Sequence, residues 1–596
     1  MRNQQTKKFF QVTYYSLVLR VVKGLLTTLI LICLILPKTV QAATYYLDAV
    51  NGDDTNPGTS AQPWNTLNRA YTWYSGAGPK VQEGDTVYFR NGNYGGFKES
   101  SDVSDSQHLH RANWIIYKAD LGHNPILTRI VVNNGDHYSS PLYEPGESYL
   151  IFDGFRVLEG AEFICTGYVQ LLDCNITAKA LGYGGLYEPY YAGAVVALKL
   201  NKVNHATVEE CEISYAYRAV ETWKGQYITI KNNSIHRFAE DGVGGGSNNP
   251  LIENNHIYDC NPRRSPYGIW GAKSGTFEQY EVVTQAGTGA TNIVYNATVS
   301  GAISVIITGA IDFTIGGGIV TGQHSGATLS NLTNVDGAHS DGIQMQVDYG
   351  TLSDVTINNN IIHGGMWDCL KLASYTNGLV QNVTVSNNLG YDTYDYALLM
   401  GSEQKGEGPD AVFQNVNFYN NTFWGTTHTF ALRNAAKIEN LYNNIIYQLW
   451  VEVGKAIGVA NHSNNIFHDN PSNASFAMNS TETMNATPGF VDAANGDFRL
   501  KPSSVAIDVG DPAHAPATDI LGNPRDDKSD AGCYEYGALP LKGDINKDGK
   551  VNIQDAQACI NHILGKQDWG ARADVNGDGK VDEEDVEEIL NIILGK

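Results

Sequence analysis

Charge is scarce in this chain: only 17% of its 596 residues are Asp, Glu, Lys or Arg, and proline is rare at 19. The scarcity is uneven, because 63 acidic residues face 40 basic ones for a net charge of −23. Removing the six bases of residues 1–43, which contain no acid, leaves −29. Such an excess rules out nucleic acid and argues against an anionic membrane surface as partner. Eight cysteines without compact spacing imply no disulfide framework. Residues 25–36 are apolar but too short a run to span hydrocarbon comfortably. They follow basic residues and precede Pro37 and Val40-Gln41-Ala42, so residues 1–42 read as an export signal cleaved after Ala42. What the chain has in excess is glycine, 62 residues, with 10% aromatics. That mixture points to many short strands and turns, not to disorder.

A strand followed by paired asparagines recurs at Asn232-Asn233, Asn254-Asn255, Asn359-Asn360, Asn387-Asn388, Asn420-Asn421, Asn443-Asn444 and Asn464-Asn465. The second asparagines are 22, 105, 28, 33, 23 and 21 residues apart. A strand-based period of 21–33 residues predicts the coils of a parallel β-helix. Stacked coils would place each Asn over the next at about 4.8 Å, where amides can form a ladder. Cys174-Asn175 and Cys211-Glu212 are weaker versions of the same step. Residues 275–337 fill the long interval and are rich in Thr, Val, Ile and Gly, which predicts an inserted β-rich loop. Residues 66–74 read as a short amphipathic helix capping the first coil.

The opening, Tyr45-Tyr46-Leu47-Asp48, Gly52-Asp53-Asp54, Asn56-Pro57-Gly58-Thr59, Pro63-Trp64 and Gly84-Asp85, resembles that of secreted right-handed parallel β-helix proteins of the pectate-lyase-like superfamily. Asp497-Phe498-Arg499-Leu500, Asp519 to Arg525 and Gly532-Cys533-Tyr534-Glu535 resemble the closing segment of the same proteins. The resemblance implies a mainly β right-handed solenoid over residues 43–537, with the closing segment at about 485–537. It does not fix the reaction, because that superfamily holds lyases, hydrolases, epimerases and non-catalytic surface proteins.

After a linker at 538–542, residues 543–596 carry a motif twice. Asp544, Asn546, Asp548, Gly549, Lys550, Asn552 and Asp555 occupy the one, three, five, six, seven, nine and twelve positions of a calcium loop. Asp574, Asn576, Asp578, Gly579, Lys580, Asp582 and Asp585 repeat them. Calcium takes six to eight hard oxygens, and this spacing supplies them, with the carbonyls of Lys550 and Lys580 at position seven. An apolar helix follows each loop, at residues 556–564 and 586–594. Duplicated loops of this form resemble a type I dockerin, which implies Ca²⁺ as cofactor and a cohesin-type scaffold module as partner. Loop positions ten and eleven, Ile553-Gln554 and Glu583-Glu584, depart from the Ser-Thr type common in that family.

Asp341, Asp368 and Asp395 are each 27 residues apart. Aligning them puts Ile343, Leu370 and Ala397 in an inward row and Gln344, Lys371 and Leu398 in an outward row. Asp241-Gly242-Val243-Gly244 fits one or two coils earlier, and Trp270 falls in the outward row. Strict alternation would turn Asp341 inward, so an outward carboxylate requires it to lie in the turn before its strand. His339 to Gln344 resembles a segment of several carbohydrate-active β-helix proteins. The resulting site holds Asp341, Asp368, Lys371 and Asp395 as catalytic candidates and Trp270, His339 and Gln344 as sugar-binding ones. With a third Ca²⁺ shared among the aspartates, Lys371 would abstract the proton beside a uronate carboxylate, and this β-elimination is the expected reaction. Without it, two aspartates would act as acid and base in glycoside hydrolysis. A non-catalytic carbohydrate-binding surface protein is the third alternative. Trp223, Trp367 and Trp424 are candidate sugar-stacking rings.

Overall fold

The computed structural model describes residues 42–537 and 542–595, apart from 74, 101–110, 135–145, 179–195, 239, 261–273, 284–290, 301–303, 308–312, 316–317, 321–326, 331–339, 348–349, 375–376, 394–395, 403–409, 426–429, 452–456, 469–478, 485, 546–550, 565–568 and 570–571. The export signal read in residues 1–42 lies outside the described residues but for Ala42. No helix among the described residues is long and apolar enough to cross a membrane.

Parallel strands stack coil upon coil. A 13-stranded parallel sheet forms one wall, and a 23-stranded sheet forms the other two. The larger sheet is two stacks joined by one long strand, Arg218–Lys231. Its first half pairs with Val196–Asn201 and Asp241–Asn248, and its second half with Asn204–Glu209 and Leu251–Glu253. The fold is therefore the parallel β-helix that the Asn period predicts.

Rows of apolar side chains fill the interior. One runs Val220, Val243, Ile343, Leu370, Leu398, Phe430 and Leu449 through successive coils in strict register. Each of these residues is at most 1% exposed. Side chains of equal depth on neighbouring coils are held one strand spacing apart, so apolar residues bury one another along the whole axis.

The paired asparagines divide two tasks between them. The first of each pair sits at positive φ, from 52° at Asn420 to 59° at Asn443, and turns the corner. Asparagine tolerates that left-handed region better than most residues. The second is buried and builds the ladder: Nδ2 donates to Oδ1 of the next coil's asparagine from Asn233 to Asn255, Asn360, Asn388, Asn421, Asn444 and Asn465 at 2.9–3.1 Å. The last amide, Asn465, donates to the carboxylate of Glu482 at 2.9 Å, which ends the row on an acceptor. Asn388→Ala should therefore cost about 2–4 kcal/mol, because it leaves the Asn360 N–H without its acceptor and strips one partner each from the Asn360 amide, the Ile357 carbonyl and Asn421 Oδ1. Denaturant unfolding of the variant against wild type measures it.

The capping helix expected over residues 66–74 is a single 3-10 turn, Leu67–Ala70. Trp64 is fully buried beneath the Arg69 guanidinium, 4.5 Å from the ring centroid, so packing and not helix length closes this end. The long interval between Asn255 and Asn360 contains an antiparallel sheet of Ser274–Val283, Thr291–Ser300, Ser304–Ile307 and Ala327–Ser330, as the β-rich composition predicts. The closing segment lies along the corner asparagines. Asn387, Asn420, Asn443 and Asn464 donate to the carbonyls of Thr518, Asp530, Asp511 and Val509 at 2.6–3.0 Å. The seven described cysteines are all buried and unbridged.

Residues 542–595 contain two helices, Ile553–Ile563 and Glu583–Ile593, longer at their starts than expected. Both begin with a capping box, Asn552 with Asp555 and Asp582 with Asp585, which satisfies orphan N–H groups at the helix start. Ile545, Ala556, Cys559, Ala573, Val575 and Ile589 form their small core.

Candidate active site

The outward face of the sheet that carries Asp341–Val347 gathers the polar residues. Asp241, Asp341 and Asp368 begin three consecutive strands and pair in register, Asp241 with Asp341 and Asp341 with Asp368. Gln344 pairs with Lys371 three residues further along. All five are nearly enclosed: Asp341 and Asp368 are fully buried, Lys371 and Asp241 are 2% exposed and Gln344 8%.

Local glycines make this arrangement possible. A Cβ at Gly342 would lie 2.3 Å from Ile362 Cγ2, so the backbone presses inward there and Asp341 is released from strict alternation. The same Asp-Gly step places the Asp241 carboxylate over Gly244, where a Cβ would lie 2.5 Å from Asp241 Oδ2. With its amide nitrogen toward the acids, Gln344 donates to Asp241 Oδ1 at 2.9 Å and to Asp341 Oδ2 at 3.1 Å. In that orientation it bridges two carboxylates. The start of the next strand is fixed by the Trp367 N–H, which donates to the Ser340 carbonyl at 2.6 Å.

One coil before Asp241 stands Arg218, a residue the sequence reading did not select. Its guanidinium meets Glu240 at 2.7 Å, Glu221 at 3.0 Å and Asp241 at 3.2 Å. Burial opposes its charge, but Asp241, Glu240 and Glu221 together hold it firmly protonated. Burial, and then Glu240, pushes the Tyr217 hydroxyl far above its usual range, so it stays a donor to that carboxylate. Extending the aspartate alignment back by one coil of 23 residues, from Asp241 to Arg218, would have found it. Among the described residues the strip thus holds five carboxylates, Glu221, Glu240, Asp241, Asp341 and Asp368, against the cations Arg218 and Lys371.

The alignment built on Asp395 requires a correction. Tyr396, not Asp395, pairs with Asp368, and Leu399 pairs with Lys371. The inward row continues from Leu370 to Leu398, so Ala397 and Leu398 shift by one from their expected rows. Equal sequence spacing is not equal register here, because the third coil is one residue longer. Asp395, Trp270 and His339 themselves lie outside the described residues.

Trp223 stands on the same face, partly exposed, and pairs with Gly246. Its ring lies against that glycine, with Cζ3 3.4 Å from where a Cβ would be. Trp424 does not belong to the face. It packs beneath Phe490 and Phe498 of the closing segment, at ring distances of 5.0 and 6.4 Å. Gly244→Ala should dislodge Asp241 and, through Arg218 and Gln344, misplace the column. We expect about a 10²-fold loss of turnover with little change in Tm, read by initial rates and thermal unfolding.

A third calcium is the expectation for these aspartates. The Gln344 amide stands between Asp241 and Asp341, and among the described residues no three acidic, His or Cys side chains converge on one point. The loops of the C-terminal segment are different in kind. Asp574 accepts the N–H groups of Gly577 and Gly579 at 2.8 Å, Asn576 that of Asp578 and Asp578 that of Lys580 at 2.9 Å. Gly579 has φ +86°, the turn that the sixth loop position demands. Asp585 accepts from the Val575 and Asp582 N–H groups, as Asp555 accepts from those of Ile545 and Asn552. Both ends of the two loops therefore share one geometry, and the hard-oxygen donor set fits calcium. Asn546, Asp548 and Lys550 lie outside the described residues.

The family model for the type I dockerin domain matches residues 542–594, and that for the right-handed β-helix region matches residues 160–303. The chain joins a right-handed β-helix to a type I dockerin domain. No curated protein matches the chain. Among solved structures it is similar to pectate lyase Pel9A, at 12% identity over 83% of this chain and 97% of that one, with a TM-score of 0.39. It is similar at 10% identity to XylC in complex with xylose, over 83% and 99% of the chains, with a TM-score of 0.39. A lacto-N-biosidase from Eubacterium ramulus is 11% identical over 72% and 68%, with a TM-score of 0.33.

Proposed function

We propose that the chain is an exported polysaccharide-degrading enzyme that hydrolyses glycosidic bonds at the aspartate column and is anchored to a cohesin-bearing scaffold by its dockerin. The observation that carries this reading is the in-register pairing of Asp341 with Asp368 on the outward face. Residues paired across adjacent strands stand about 4.8 Å apart, close to the 5–5.5 Å between the carboxyls of retaining glycosidases. Two carboxyls that close do not both ionise readily, which suits one to donate a proton and the other to attack. Gln344 aims Asp341, while Lys371 stands beside the pair to bind a sugar hydroxyl.

The charge balance favours hydrolysis over the expected elimination. A uronate carboxylate needs a positive partner, yet Arg218 is already held by three acids. A neutral sugar meets no such repulsion. Because Asp341 and Asp368 are enclosed, the reading requires the face to open to substrate. Trp223, two coils from Asp341, would stack on a sugar ring of the same polymer.

Asp574, Asn576, Asp578, the Lys580 carbonyl, Asp582 and Asp585 would hold one calcium ion, and Asp544, Asn546, Asp548, the Lys550 carbonyl, Asn552 and Asp555 a second. Calcium supplies the charge that lets seven aspartates share two small loops. Incubating the full chain with neutral xylan, glucan and mannan, and with polygalacturonate, tests the reading. It expects new reducing ends on a neutral polymer. Unsaturated uronate absorbance on polygalacturonate would favour elimination through Lys371, and silence on every polymer would favour a binding protein.

A further inference from the structure

Outside this site, the outward face of the 13-stranded sheet carries a column of rings. His236, Tyr258, His363 and Tyr391 occupy equivalent positions on four successive coils. His236 stacks on Tyr258 at 5.0 Å, and His363 on Tyr391 at 4.6 Å. His256, two residues before Tyr258 on the same strand, stacks on it at 4.2 Å. This stacking turns His256 toward the next coil, where its Nε2 lies 2.9 Å from Nε2 of His363. The His256 side is exposed and the His363 side half-buried, so the pair is open to solvent on one flank.

From this geometry we infer that His256 and His363 form a two-imidazole site for a borderline divalent metal ion, Zn²⁺ in the first instance, which staples the two coils flanking the insertion. Two nitrogens of separate rings that face each other at 2.9 Å aim their lone pairs or protons at one point. A tetrahedral zinc with bonds of 2.0–2.1 Å separates two ligand nitrogens by about 3.3 Å, so the rings would part by only a few tenths of an ångström. Imidazole nitrogen suits zinc, nickel and copper, not calcium, which separates this site in chemistry from the oxygen loops of the dockerin. Water would complete the shell.

The position gives the site a purpose. Neighbouring coils elsewhere in the Asn ladder are connected by 21 to 33 residues, whereas His256 and His363 are separated by 107. Closing a longer loop costs more chain entropy, and a crosslink across it recovers more. A metal clip is worth most at this junction.

Zinc chloride titrated calorimetrically into the full chain, with calcium in excess to occupy the dockerin loops, tests the inference. Wild type should bind one zinc ion that His256→Ala and His363→Ala each weaken by at least about tenfold. Zinc should also raise the Tm of wild type but not of His363→Gln, a variant close in size that keeps the stack filled. Absence of zinc binding by wild type would overturn the proposal. So would equal binding and an equal Tm shift in the folded variants, which would leave the pair as an ordinary N–H···N hydrogen bond.

Discussion

Asp544→Ala combined with Asp574→Ala should abolish scaffold attachment, weakening cohesin binding by at least about a hundredfold, while leaving the β-helix intact. Each substitution removes the proposed first ligand of its loop, and Asp574→Ala also removes the acceptor of the Gly577 and Gly579 N–H groups. The dockerin core is small, with Ile545, Cys559, Ala573 and Ile589 at its centre. It cannot offset the repulsion among the loop aspartates without the ion. Differential scanning calorimetry of the full chain with calcium and with chelator should show a calcium-dependent transition in wild type that is missing in the double variant. A transition that ignores calcium would contradict the metal assignment.

Asp341→Asn and Asp368→Asn should each lower turnover by about 10³-fold with binding of substrate retained. Amides keep the size of the carboxylates but neither donate a proton as an acid nor attack. Their Tm should stay near that of wild type or rise, because each change removes a negative charge from a strip where five carboxylates face two cations. Lys371→Ala should reduce affinity more than turnover if it binds a hydroxyl. A loss in kcat equal to that of Asp368→Asn would instead give Lys371 the role of base.

The fold was legible because one signal repeats at the level of single side chains. Asn233 to Asn465 stack amide on amide, so the buried residue of every coil is visible in the sequence at its period. The dockerin was legible for a similar reason, since calcium ligands must fall at fixed positions of one short loop. The candidate catalytic face was harder. Asp341, Asp368 and Asp395 share a spacing of 27, yet Tyr396 takes the third place, because one extra residue in a turn changes register without leaving a mark on composition. Alternation turned Asp341 inward on paper, and only the contacts around Gly342 show the backbone giving way. Arg218 was hidden among aromatic neighbours, its partners Glu240 and Asp241 lying a coil away. Trp424 was misread as a cleft ring because Phe490 and Phe498, which cover it, come much later in the chain.

The central claim is that the aspartate column adds water across a glycosidic bond, and the oxygen of that water reports on it directly. Digestion of the polymer on which wild type is active, carried out in water labelled with heavy oxygen and followed by mass spectrometry of the oligosaccharides, gives the measurement. Hydrolysis predicts saturated products carrying one heavy oxygen at each newly formed reducing end, absent with Asp341→Asn and Asp368→Asn. Unsaturated products without the label would contradict the claim and assign the chemistry to elimination.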